Sequence, residues 1–246
     1  DVVKMRVAAL LHDIGHYPLS HLGEAVYSYC MDREGETEKK PLYYMASFHS
    51  KSADHEYLGK YIVTHNLELR SILEKYGLDP EEIGEIFTGE CGARNMVYTQ
   101  LIHSSLDADR LDYMLRDSYQ TGVKYGMVNL QYLVRLLMVV EDPSLRGNNK
   151  VLAFNKKGQY VVEHFLMSRY FYYSQVIFHK TNVAFEGMVK CMYIRLVQSG
   201  YFLYQSLEEI QESINDEKFL SFNDSFLETA AKEYYDHTED EEFKRL

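Results

Sequence analysis

His12-Asp13-Ile14-Gly15-His16-Tyr17-Pro18-Leu19-Ser20-His21, with Glu24 just beyond, is the stretch on which the reading of this chain turns. Ahead of it, Val2, Val3, Met5, Val7, Ala8, Leu10 and Leu11 predict a helix over residues 2–13 with nearly continuous apolar surface, hence a buried one. A His-Asp pair at the end of such a helix sets a neutral imidazole beside a carboxylate in a protected pocket, a mixed N/O pairing suited to a borderline or hard divalent cation. Gly15 and Pro18 turn the chain, and Ser20 is an N-cap candidate for a second helix over roughly 20–30. On that helix His21 and Glu24 are three apart and share a face. Three histidines in ten residues are more than core filling requires.

A second block reads Leu106-Asp107-Ala108-Asp109-Arg110-Leu111-Asp112-Tyr113-Met114-Leu115-Arg116-Asp117 and closes on Thr121-Gly122-Val123. Asp109, Tyr113 and Arg116/Asp117 fall at i, i+4 and i+7/i+8, one stripe of one helix, while Leu111, Met114 and Leu115 lie on the core side. Asp107 reads as an N-cap, and Asp112 with Arg116 as a surface ion pair. The two blocks together resemble the HD superfamily of metal-dependent phosphohydrolases. The second is similar to the later aspartate motif of one branch, the deoxynucleoside triphosphate triphosphohydrolases related to dGTPase. The resemblance runs from the first residues to roughly Lys190.

The resemblance implies a mainly α HD-domain bundle in which two histidines and two aspartates hold one divalent metal ion (Mn, Fe, Zn, Ni or Mg). His12, Asp13 and Asp109 match three of the ligands, and the fourth, a histidine, is expected upstream of residue 1. His21 with Glu24 matches the catalytic dyad, although relatives often carry Asp at the second position. His16 and His55 match histidines that approach the phosphates, Arg110 matches a position where relatives carry a basic residue directly after the metal aspartate, and Arg169, ten residues before His179-Lys180, matches a phosphate-contacting arginine. Guanidinium suits a phosphate oxygen pair. Tyr113 and Asp117 match contacts to the deoxyribose, and Lys180 completes the substrate set; relatives carry a tyrosine where this chain has Ile177. The implied reaction is hydrolysis of a deoxynucleoside triphosphate to deoxynucleoside and inorganic triphosphate, by a homo-oligomer (dimer or tetramer) with a possible allosteric nucleotide. The residues alone leave open another nucleotide phosphoester, or a non-catalytic nucleotide sensor or nucleic-acid module on the same scaffold.

Composition sets the outer limits. A chain of 246 residues, 46% hydrophobic, buries a substantial core. No apolar run approaches the ~18–20 residues of a membrane span. The three cysteines, Cys30, Cys91 and Cys191, are odd in number and widely spaced, which points to reduced thiols in the cytoplasm. A net charge of −11 argues against a general nucleic-acid surface. The start at Asp1 and the charged end suggest a piece of a longer protein.

Elsewhere the pattern is helical. A loop is expected over 31–52, a helix from near Asp54, and another from Leu67 to Tyr76 ended by Gly77. Asp79-Pro80 reads as an N-cap with Pro at the first helical position, and Ile83, Ile86 and Phe87 as the apolar face that follows. Leu130–Val140 reads as helix, or helix running into strand. Within residues 148–162, Val151–Phe154 and Gln159–Val162 read as a β-hairpin turned at Asn155-Lys156-Lys157-Gly158. His164–Gln198 is one long helix or two with a bend, and Tyr170–Tyr173 read as helix packing. Leu203–Ile214 and Phe219–Tyr235 read as acidic helices. An HD phosphohydrolase domain is thus expected over 1–198, with a C-terminal helical extension over 199–246.

Overall fold

A computed structural model describes residues 2–31, 54–90, 96–144 and 150–246. From residue 32 on, the expected loop falls outside the described residues, as does Cys91. The chain divides into two units: residues 1–9 with 85–183, and residues 10–84 with 184–246. The fold is helical, with twelve α-helices among the described residues and a single two-stranded sheet.

In chain order the helices are α1 (Val2–Leu11), α2 (His21–Met31), α3 (His55–His65), α4 (Leu67–Lys75), α5 (Pro80–Thr88), α6 (Met96–Ile102), α7 (Ala108–Thr121) and α8 (Leu130–Leu136). Strands β1 (Leu137–Glu141) and β2 (Lys150–Phe154) follow, then α9 (Gln159–Tyr172), a π-turn (Tyr173–Ile177), α10 (Lys180–Gln198), α11 (Leu207–Ser213) and α12 (Asp224–His237). Short polar side chains set several of the starts. Asp54 Oδ1 accepts from Glu56 N at 2.9 Å, Asp79 Oδ1 from Glu81 N at 3.0 Å, and Asp107 Oδ1 from Arg110 N at 2.7 Å. Gly77 and Gly122 end α4 and α7 at φ 71° and 72°, a backbone other residues rarely adopt. Ile83, Ile86 and Phe87 are buried, as the pattern predicts.

The core of the unit containing residues 10–84 gathers Val26 and Tyr27 of α2, Leu58 and Ile62 of α3, Tyr193 and Leu196 of α10, and Ile210 of α11. The Tyr27 hydroxyl crosses it to donate to Tyr204 O at 2.6 Å. The other unit centres on Met114, Leu133 and Phe165, with Leu111, Val161 and Val162 packed against them.

Four expectations need correction. α1 is not buried: Val2, Val3 and Leu10 are 67, 62 and 79% exposed, and only Ala8 is enclosed. A helix apolar all round has no preferred inner face, so its composition alone does not fix how much of it is covered. Ser20 is not a side-chain cap; its hydroxyl meets His16 Nδ1 at 3.2 Å instead. The hairpin is real but displaced. β2 pairs antiparallel with β1, from Leu137↔Phe154 to Glu141↔Lys150, rather than with Gln159–Val162. The reason lies at Asn155, whose Oδ1 accepts from Lys157 N at 3.0 Å and starts a 3-10 turn that feeds α9. Val161, Val162 and Phe165 then bury at helical spacing against Met114 and Leu133. Finally, Leu203–Ser206 is not helical, because Ser206 caps α11 through Glu209 N at 3.2 Å.

Candidate active site

The first cluster lies in the unit of residues 10–84. Past α1 the chain turns tightly, with Ile14 N on Leu11 O and His16 N on Asp13 O. Leu19 and Ser20 both take left-handed backbone, φ 60° and 57°, an uncommon state for residues with a Cβ. Leu19 N is anchored on Asp224 Oδ1 at 2.8 Å. Gly15 is required by contact: a Cβ there would lie 2.1 Å from His55 O and 2.2 Å from Gly59 N. The turn therefore rests directly on the first turn of α3. That close approach stacks the His16 and His55 rings, centroids 3.9 Å apart and 8° from parallel. His21 stands edge-on to both at 5.0 Å.

Polar contacts join these rings into one chain. Asp13 Oδ1 lies 3.2 Å from His12 Nε2 and 3.3 Å from His16 Nε2. At the other end Glu24, 5% exposed, receives His21 Nδ1 at 3.2 Å and His55 Nδ1 at 3.0 Å on the same Oε2. Burial would raise the Glu24 carboxyl, but the hydrogen bonds from His21 and His55 outweigh it and hold the group at about 2. His55 responds in kind: burial pulls it down, and Glu24 wins, so the imidazole sits above its ordinary 6.5. The His16 hydrogen bond likewise draws Asp13 below its ordinary 3.8 against the opposing effect of burial. Asp54 adds a third carboxylate, 3.5 Å from His55 Nδ1 while it caps α3.

These donors fit a divalent ion. His16, His21 and His55 form one group whose ligand atoms lie within 4.8 Å of one another, and Glu24, Asp54 and His55 form a second. Imidazole nitrogen with carboxylate oxygen is the donor mix that suits Zn, Fe or Mn.

The second cluster lies in the unit of residues 85–183. Asp107 is enclosed and receives Ser104 N at 2.9 Å, Arg110 N, and the Arg110 guanidinium, which also donates to Ser104 O at 2.5 Å. Tyr113 and Asp117 are one turn apart on α7. The Tyr113 and Tyr173 hydroxyls are 3.3 Å apart, and the Tyr172 hydroxyl donates to Asp117 Oδ2. Arg169 lies over the Tyr173 ring, 5.4 Å from its centroid, and reaches Ser105 O at 3.5 Å. Asp109 is exposed near the start of α7, and Lys180 is exposed at the start of α10.

The structure thus joins His12, Asp13, His16, His21, Glu24 and His55 in one unit, and Tyr113, Asp117 and Arg169 into one network in the other. Three participants were not among the expected site residues. Asp54 had a signal, since an Asp at a helix start beside a histidine can orient it. Tyr172 and Tyr173 had none locally, because their partners are 55 and 60 residues away.

Residues 1–116 match the HD domain family. Among relatives, the uncharacterized protein YwfO of Bacillus subtilis is 32% identical over 180 residues, 73% of this chain and 34% of its own length. The uncharacterized protein MJ1154 of Methanocaldococcus jannaschii is 30% identical over 228 residues, 92% of this chain and 41% of that protein. The deoxynucleoside triphosphate triphosphohydrolase SAMHD1 homolog of Dictyostelium discoideum is 25% identical over 228 residues, covering 91% and 38%. The chain spans about two fifths or less of the length of each. Among the described residues no helix is long and apolar enough to cross a membrane. The family match over residues 1–116, the helical fold and the clustered imidazole–carboxylate donors agree with one another, and those donors can hold a divalent metal ion.

Proposed function

We propose that this chain is the phosphohydrolase portion of a cytoplasmic enzyme that cleaves deoxynucleoside triphosphates to deoxynucleoside and inorganic triphosphate. One observation carries the reading: the continuous line Asp13–His16–His55–Glu24–His21, in which a buried carboxylate holds two imidazoles beside the His12-Asp13 doublet. By the family resemblance His12, Asp13 and Asp109 would hold the divalent ion, and the chemistry it would supply is polarisation of a phosphoryl oxygen and activation of water near neutral pH. His21 is the general acid. Glu24 accepts from its Nδ1 and orients the ring, whose Nε2 proton passes to the leaving 5′-oxygen. His16, His55, Arg110, Arg169 and Lys180 neutralise the triphosphate as charge builds. Tyr113 and Asp117 read the sugar, the carboxylate accepting from the 3′-hydroxyl. The domain spans 1–198, with 199–246 as an extension, and the enzyme is a homo-oligomer with a place for an allosteric nucleotide. The name of the Dictyostelium relative supports the substrate class.

The test is to incubate the full-length protein with each deoxynucleoside triphosphate and Mn or Mg, then separate the products by chromatography. Deoxynucleoside with triphosphate is expected. Monophosphate with pyrophosphate, or diphosphate, would overturn the reaction.

A further inference from the structure

Tyr172 closes α9 and is 2% exposed, yet its hydroxyl is not idle: it donates to Asp117 Oδ2 across 55 residues of chain. Burial and that bond push its phenol above the ordinary 10, so the group stays protonated and is a permanent donor. With Oδ2 so engaged, the Asp117 carboxylate is fixed in one orientation and its Oδ1 can accept from a ligand. One turn earlier on α7, the Tyr113 hydroxyl faces that of Tyr173 at 3.3 Å. Two phenols that share one hydrogen bond keep one O–H unspent. The Tyr113 and Tyr172 rings lie 6.1 Å apart, and Tyr173 opens the π-turn with the Arg169 guanidinium over its face. A π-turn within a run of helices is frequently found at functional sites. One spare donor, one oriented acceptor and aromatic walls together suit a sugar ring that bears a hydroxyl.

We propose that Tyr172 is a positioning residue for sugar selectivity: it makes Asp117 a fixed acceptor for the 3′-hydroxyl, opposite the donor left on the Tyr113–Tyr173 pair. This rests on the deoxynucleotide reading above and adds a residue to it. Loss of the Tyr172 hydroxyl lets Asp117 turn, so it costs binding of the 3′-hydroxyl and nothing else.

The experiment compares kcat/KM for the best deoxynucleoside triphosphate and its 2′,3′-dideoxy counterpart in wild type, Tyr172→Phe, Asp117→Asn and the double variant. Phe preserves the buried volume, and thermal melting checks that the variant is folded. Tyr172→Phe is expected to shrink the preference for the 3′-hydroxyl by about tenfold, through KM of the deoxy substrate, with the dideoxy substrate unaffected. The double variant should lose no more than Asp117→Asn alone, because both act on one contact. An unchanged preference, or a parallel fall for both substrates, overturns the role of Tyr172 while the hydrolase reading stands. Absence of triphosphate release from wild type with either substrate overturns the hydrolase reading, and this inference with it.

Discussion

Around Glu24 most of the imidazole pairs described are near neighbours in sequence: Asp13 with His16, His16 with Ser20, and His21 with Glu24, while His55 arrives from 31 residues on. Around Asp117 they are remote, since Tyr172, Tyr173 and Arg169 meet residues 55, 60 and 64 positions earlier. The chemistry differs as much as the spacing. His55 is raised above 6.5 and so changes charge within reach of neutral pH. Tyr113 and Tyr172 are pushed well above 10 and keep their protons throughout that range. One region holds a group that titrates near neutral pH, and the other holds donors that do not. This difference in ionisation supports the proposed division between reaction and recognition.

The largest expected effect would break that division if it failed. His21→Ala should lower kcat by about 10²–10⁴-fold with little change in KM, as for loss of a general acid. Asp117→Asn should do the reverse, raising KM more than it lowers kcat. Steady-state kinetics on the full-length enzyme checks both, and a kcat loss of equal size in the two variants would erase the distinction.

Next is the support beneath the imidazoles. Gly15→Ala drives a Cβ onto the backbone of His55 and Gly59, neither of which can yield as a side-chain tip would. A cost of about 3 kcal/mol in unfolding free energy is expected, at the upper end for overpacking, and chemical denaturation measures it.

The proton-moving character of the Glu24 cluster can be sharpened by pH. Glu24 is depressed from 4.5 to about 2, so its stabilising contribution is complete above about 4.5 and is lost as pH falls towards 2. His55 is raised, so its contribution is complete below 6.5 and is lost as pH rises through its folded-state value. NMR titration of the His55 ring should show a midpoint above 6.5 that drops in Glu24→Gln. A midpoint indifferent to that substitution would remove Glu24 as its partner.

Two smaller effects probe the surroundings of each region. The Tyr17 hydroxyl, beside His16 in sequence, is buried with no hydrogen-bond partner among the described residues. Tyr17→Phe should therefore leave stability unchanged or raise it by about 1 kcal/mol, since a stranded hydroxyl carries an uncompensated desolvation cost. On the exposed side of α7, Arg116 Nη2 meets Asp112 at 2.8 Å. Asp112→Ala should cost only about 0.3–0.5 kcal/mol in thermal unfolding, the range for a solvated i,i+4 pair.

The two regions also differ in how much of them the chain displays in advance. His12-Asp13, the His21–Glu24 spacing, the caps at Asp79 and Asp107, and the apolar face of α5 are legible because each depends on residues within one or two helical turns. The hairpin was legible as strand and turn signals but not as a pairing. Asn155 reads equally as a β-turn residue and as a helix-starting acceptor, and only the burial of Val161, Val162 and Phe165 against Met114 decides between them. The exposure of α1 was hidden for the same reason: an apolar count does not say which neighbour arrives to cover it.

By itself, then, the sequence determined the helical class, the imidazole–carboxylate doublet and dyad, and the acidic stripe on α7, all governed by periodicity and short-range spacing. Tertiary structure alone decided that Glu24 serves two histidines at once, that Gly15 must be small because α3 lies against it, and that Tyr172 holds Asp117. The physical reason is that hydrogen bonds and van der Waals contacts act over a few ångströms. Once they join segments tens of residues apart, no local pattern in the chain records them.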